Sequence, residues 1–114
     1  MLQKGDVIYA DLNNSIGSVQ NGIRPVVIIS NDIYNKHSDN LQIVPISSSI
    51  GNVRFSHVLI EGEEVKECGL KRNSKVICDT IQTISKTQAF QKVGQVSNNL
   101  KEIINEKIKV QLAL

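Results

Sequence analysis

Apolar and polar residues alternate in short stretches along most of the chain, the two-residue period of half-buried β-strands. Over residues 7–12, Val7, Tyr9 and Asp11 face one way and Ile8, Ala10 and Leu12 the other, which predicts a first strand. Residues 13–22 are polar and carry three asparagines and two glycines, a loop composition. A loop this long in a small domain is more often functional than ornamental. Residues 25–30 predict a second strand. Pro25 can open it because a strand's first residue can spare its N–H, and it keeps Arg24 extended. A turn or single helical turn is expected over 31–35, and a third strand over 41–46, ending in Ser47-Ser48-Ser49. A fourth strand is expected over 55–60, then a short helix or loop over 65–73, the longest strand over 75–84, and a short one over 93–96. Ser97 reads as the N-cap of a closing helix. In it Leu100, Ile103, Ile104 and Ile108 share one face, and Lys101, Glu102, Asn105, Glu106 and Lys109 take the other. The pattern predicts a mainly β chain with short helices: one curved antiparallel sheet or barrel with a C-terminal α-helix.

Composition agrees with that pattern and narrows the function. Ile (16) and Val (12) far outnumber Leu (8), so the interior is β-branched and suits pleated strands. At 114 residues the chain is one domain, 1–114, with no repeat or linker. The net charge is +2 and neither half is a charged tail, which argues against duplex DNA or a membrane surface as a partner held by bulk charge. No run approaches the ~20 apolar residues of a membrane span. The opening Met1-Leu2-Gln3-Lys4-Gly5-Asp6 has no apolar signal region. With two cysteines, Cys68 and Cys78, this predicts free thiols in a reducing cytoplasm.

Most chemistry is excluded by spacing. The cysteines lie ten residues apart, and His37 and His57 have no paired ligand spacing, so no metal site is expected. No phosphate-binding glycine motif appears, so no cofactor is expected. Ser47 to Ser49 lack the nucleophile-elbow pattern. Lys71, Arg72 and Lys75 form a small basic cluster that reads first as a solvated face. Arg24 is the more informative residue. One of three arginines, it lies where a glycine-containing loop gives way to a rigid strand, placed to offer a bidentate fork to a phosphate. Its plain alternative is a surface pair with Asp6 or Asp11.

The segments Gly5-Asp6-Val7, Gly17 to Ile29, Asn31-Asp32, Ile43 to Ser48, Ser56-His57-Val58 and Val76 to Ile84 resemble the MazF/PemK toxins of bacterial type II toxin–antitoxin systems over essentially the whole chain. The resemblance implies an SH3-like, plasmid-maintenance-toxin barrel and a homodimer. It also implies metal-independent, sequence-specific cleavage of single-stranded RNA to 2′,3′-cyclic phosphate and 5′-hydroxyl ends, inhibited by a cognate antitoxin. By position it makes Arg24, Ser47 and Asp79 catalytic: Arg24 as phosphorane stabiliser and proton donor, Ser47 (with Ser48 behind it) as phosphate ligand, Asp79 as acceptor of the 2′-OH proton. Ser18, Gln20, Asn21, Ser48, Thr80 and Gln82 become RNA-binding residues, with Thr80 and Gln82 two apart on one strand face. The chain departs from the pattern at Val19, where many relatives are acidic, and at Thr80 and Gln82, where many carry Gln and Arg. Those departures keep two other readings open: a non-catalytic toxin of the same fold binding a protein such as gyrase, and a degenerate relative that only binds an antitoxin.

Overall fold

The run Val26-Val27-Ile28 has no polar face because the strand that carries it is covered on both sides. In the computed structural model, which describes residues 1–13 and 22–114, seven strands form one bent antiparallel sheet. They are β1 (Asp6–Asp11), β2 (Ile23–Ile28), β3 (Asn40–Ser47), β4 (His57–Ile60), β5 (Ser74–Ile77), β6 (Gln82–Ser85) and β7 (Ala89–Gln95). Neighbours run β4-β5-β3-β2-β1-β7, and β6 also pairs with β3. Short helices α1 (Asp32–His37) and α2 (Glu63–Glu67) fill connections, and α3 (Asn98–Gln111) closes the chain.

Alternation along the central strands feeds two cores. Val7, Val27, Val44 and Ile46 join Val58, Ile60 and Val76, and Leu100 and Ile104 of α3 cap them. On the other face Ile8, Ala10, Leu12, Val26, Ile28, Leu41, Ile43 and Ile84 pack together. Ser97 caps α3 as expected, its Oγ accepting the Leu100 N–H at 3.1 Å and donating to Glu64 Oε1 at 2.6 Å.

Several motif residues turn out to build the fold. Gly5 has φ +91 and its carbonyl accepts the Val96 N–H. Asp6, 1% exposed, takes the Gln3 N–H at 2.8 Å and pairs with Lys92 at 3.1 Å. Asn31 caps α1 through the Tyr34 N–H, and Asp32 accepts the Lys4 N–H at 2.7 Å.

The strand expected over 75–84 is two strands. β5 pairs with the end of β3 (Ile46↔Val76, Ser47↔Lys75) and β6 with its beginning (Ile43↔Gln82 to Asn40↔Ser85). Residues 77–81 therefore span the rise that Val44 and Pro45 cover on β3, and the excess is extruded as a turn holding Asp79 and Thr80. The cause lies in Pro45. Ile29 N–H bonds to Gln42 O, so the even residues of β3 face β2 and the position of Pro45's missing amide faces the β5–β6 edge. A ladder bond is unavailable where the partner leaves the sheet. Thr80 consequently lies in a turn, its N–H on Ile77 O, and Thr80 and Gln82 do not share a strand face.

Three smaller differences follow from packing. β4 begins at His57, and Phe55 is 74% exposed with Lys107 Nζ 4.0 Å over its ring. β7 starts four residues before the expected strand; Phe90, Gln91 and Lys92 are all exposed and give no alternation to read. Ile103, expected on the buried face of α3, is exposed beside Phe55.

Candidate active site

The serine triplet at the end of β3 separates two grooves. As the chain leaves β3 at Ser47 it bends, with Ser48 lining one groove and Ser47 and Ser49 the other. The first groove, about 280 Å³, is lined by Arg24 together with Tyr9, Ser48, Lys71, Arg72 and Ser74. Arg24 is held in β2 opposite Ala10, and the adjoining Pro25 pairs with Tyr9. Lys71 and Arg72, which read first as a solvated face, arrive from the segment before β5 and face the same space. Three cationic side chains thus line one groove, an arrangement suited to phosphate oxygens. The Lys-Arg dipeptide was the sequence signal for it; what the sequence did not carry was the crossing that returns residues 70–74 to the mouth of β2.

The second groove, about 430 Å³, holds the other two catalytic candidates. Ser47, Asp79 and Thr80 line it with Arg54, His57 and Lys75. Its floor is the outer face of β3, β5 and β4, where Ser47 pairs with Lys75, Lys75 with Leu59, and Ile77 with His57. Ser47 is 7% exposed and its Oγ accepts the Ser49 N–H at 3.1 Å. Asp79 is exposed at the extruded turn. Its carboxylate accepts from Ser56 Oγ at 3.1 Å and Thr80 Oγ1 at 3.4 Å, and among the described residues no lysine lies within ion-pair distance. A carboxylate held by two hydroxyls and open to solvent can accept a proton from an incoming group.

His57 was not singled out by the sequence. Its Nδ1 accepts the Arg54 N–H at 3.0 Å. Burial, then the nearby charge of Lys75, holds the imidazole below its ordinary value, with Asp79 opposing and Arg54 adding to the depression. Cys68 and Cys78 are buried free thiols, pushed up by burial to about 11 and about 12, and take no part in either groove.

The structure thus brings Ser47, Asp79 and Thr80 together, and places Arg24 with Ser48 across the β3 tail from them. Gln82, at the start of β6 opposite Ile43, lines neither groove. Ser18, Gln20 and Asn21, with Val19, lie outside the described residues. Among the described residues no three His, Cys, Asp or Glu side chains cluster as metal ligands, and no helix is long and apolar enough to cross a membrane.

Known proteins resemble this chain along its whole length. Endoribonuclease MazF of Staphylococcus saprophyticus is 36% identical, the alignment covering 100% of this chain and 93% of that protein. Endoribonuclease EndoA of Bacillus subtilis is 32% identical, over 100% and 97%. Among solved structures, MazF from Deinococcus radiodurans superposes with a TM-score of 0.84 at 17% identity, over 99% and 97% of the two chains. A mycobacterial endoribonuclease in complex with its cognate antitoxin gives 0.79 at 22%, over 100% and 97%. Both share the fold described above. Residues 3–112 match the family described as PemK-like, MazF-like toxin of type II toxin–antitoxin system, and the chain belongs to that family.

Proposed function

We propose that the chain is a metal-independent, sequence-specific endoribonuclease toxin that cuts single-stranded RNA in the cytoplasm and is silenced by a cognate antitoxin. The observation that carries this reading is the pair of grooves flanking Ser47 to Ser49, one lined by Arg24, Lys71 and Arg72, the other by Ser47 and Asp79. The names of the two sequence relatives, both endoribonucleases, support it. The antitoxin complex of the mycobacterial neighbour supports the inhibitor.

An RNA strand crossing the tail of β3 meets both grooves. Asp79 accepts the proton of a ribose 2′-OH as that oxygen bonds to the adjacent phosphorus. Arg24 and a β3 serine hydroxyl donate to the equatorial oxygens, where negative charge builds. The bond to the 5′-oxygen breaks and that oxygen takes a proton from the Arg24 guanidinium, which is reprotonated from solvent as Asp79 gives its proton back, leaving a 2′,3′-cyclic phosphate and a 5′-hydroxyl. Thr80, beside Asp79, contacts a neighbouring nucleotide, and Ser18, Gln20, Asn21 and Gln82 are assigned RNA contacts by position. The working form is a homodimer, for which the apolar strip of Phe55, Ile103 and Val110 offers a surface.

The test is digestion of a long single-stranded transcript in excess EDTA, with 5′ ends mapped, beside Arg24→Ala. Wild type is expected to give discrete cuts and Arg24→Ala none, with the fold intact by circular dichroism. Intact RNA across two unrelated transcripts, from folded wild type free of antitoxin, would move the weight to a binding toxin.

A further inference from the structure

Lys75 is a cation in an unusual setting. The residue is 8% exposed, yet among the described residues no carboxylate lies within ion-pair distance of it. Its Nζ makes one hydrogen bond, to the neutral carbonyl of Gly51 at 3.2 Å. An ammonium has three donors, so among the described residues two are left without a protein partner. Burying a charge with so little compensation costs stability, and an apolar side chain of the same length would cost less.

What faces those donors is the second groove, which Lys75 lines with Ser47, Arg54, His57 and Asp79. Lys75 sits directly opposite Ser47 in the β3–β5 register, the position at which cross-strand side chains lie side by side on one face. Gly51 O fixes the ammonium from the loop side. Among the described residues Asp79 is the one carboxylate lining this groove, and its oxygens accept from the Ser56 and Thr80 hydroxyls rather than from Lys75. With Arg54, the described lining of the groove carries two cations against one anion. An anionic oxygen entering beside Ser47 would give Lys75 a charge-assisted partner far stronger than a carbonyl.

We propose that Lys75 is a phosphate-binding residue, its ammonium anchored on Gly51 O beside Ser47 so that an RNA phosphate is gripped between it and the Ser47 hydroxyl. This rests on the endoribonuclease reading above and adds to it a second point of charge, across the β3 tail from Arg24. It also accounts for a chain of near-neutral charge holding RNA: the cations are few and placed in grooves.

The test pairs Lys75→Met, which keeps the apolar stem, with Lys75→Arg, which keeps the charge. The probe is a 2′-O-methyl RNA oligonucleotide of the cleaved sequence, uncut because its 2′-oxygen is blocked. Binding is followed by fluorescence anisotropy between about 50 and 200 mM salt, where each phosphate contact on a single strand contributes a slope of about −0.7 in log K against log salt. Lys75→Met is expected to fold with a Tm equal to or above wild type, to bind more weakly, and to lose about 0.7 of slope. Lys75→Arg is expected to keep the wild-type slope. An unchanged slope in Lys75→Met, or failure of that variant to fold, would make Lys75 a structural residue and overturn the proposal. Wild type that neither binds nor cuts RNA would overturn the endoribonuclease reading itself, a different result from cutting that is indifferent to Lys75.

Discussion

His57 shows how a side chain to which the sequence assigned no chemistry acquires a role from its neighbours. Its Nδ1 must be unprotonated to accept the Arg54 N–H, and burial and Lys75 favour that neutral form. The unfolded chain binds a proton near the ordinary value of 6.5, and the folded chain resists it until lower pH. Stability contributed by His57 is therefore present above 6.5 and is lost as pH falls below it. Replacing His57 by Gln removes the titration, so the fall in Tm between pH 7.5 and 5.5 is expected to be smaller in His57→Gln than in wild type. Equal falls would mean that the Arg54 contact adds nothing to stability. The same residue scale separates Ser47 from Ser48. Adjacent in sequence and identical in chemistry, they line different grooves because the chain bends as it leaves β3 at Ser47. The triplet was legible as a strand end; which serine faced which charge was not, since that depends on partner strands fixed only by the fold.

Among elements, the crossing of α2 and β7 is the tightest fit. Gly69, at φ +72, would bring a Cβ to 2.1 Å from Val93 O, and Gly94 would bring one to 2.3 Å from Cys68 C and 2.5 Å from Glu67 O. Both obstacles are backbone, which cannot swing aside as a side chain tip can. Gly94→Ala is expected to cost roughly 1–3 kcal/mol and lower Tm by on the order of 10 °C, while Gly51→Ala, facing open space, leaves it unchanged. Matching thermal melts would show that the two elements slide apart freely. The strand set was largely readable from the sequence because β-branched alternation is local: β1, β2, β3 and the cap of α3 fell within a few residues of expectation. The break between β5 and β6 was hidden because its cause, Pro45, lies in a different strand. The edge strand β7 was half hidden for the opposite reason, an exposed stretch with no core to pattern it.

At the scale of the whole molecule, a net charge of +2 is too small to hold nucleic acid by field alone; in the proposed function local charge takes that part, with Arg24, Lys71 and Arg72 lining one side of the β3 tail and Arg54 and Lys75 the other. Family membership was legible in the motifs, yet part of that signal (Gly5, Asp6, Asn31, Asp32) belongs to scaffolding rather than chemistry. In the proposed reaction RNA is cut by its own 2′-hydroxyl across this tail. It is tested most directly by an oligonucleotide carrying the mapped cleavage sequence with a single 2′-deoxy substitution at the nucleotide 5′ to the cut. The all-ribose strand is expected to yield a 2′,3′-cyclic phosphate in EDTA, and the substituted strand to stay intact while binding the protein. Cleavage of the substituted strand at the same bond would contradict it, because the attacking oxygen would then have to come from water.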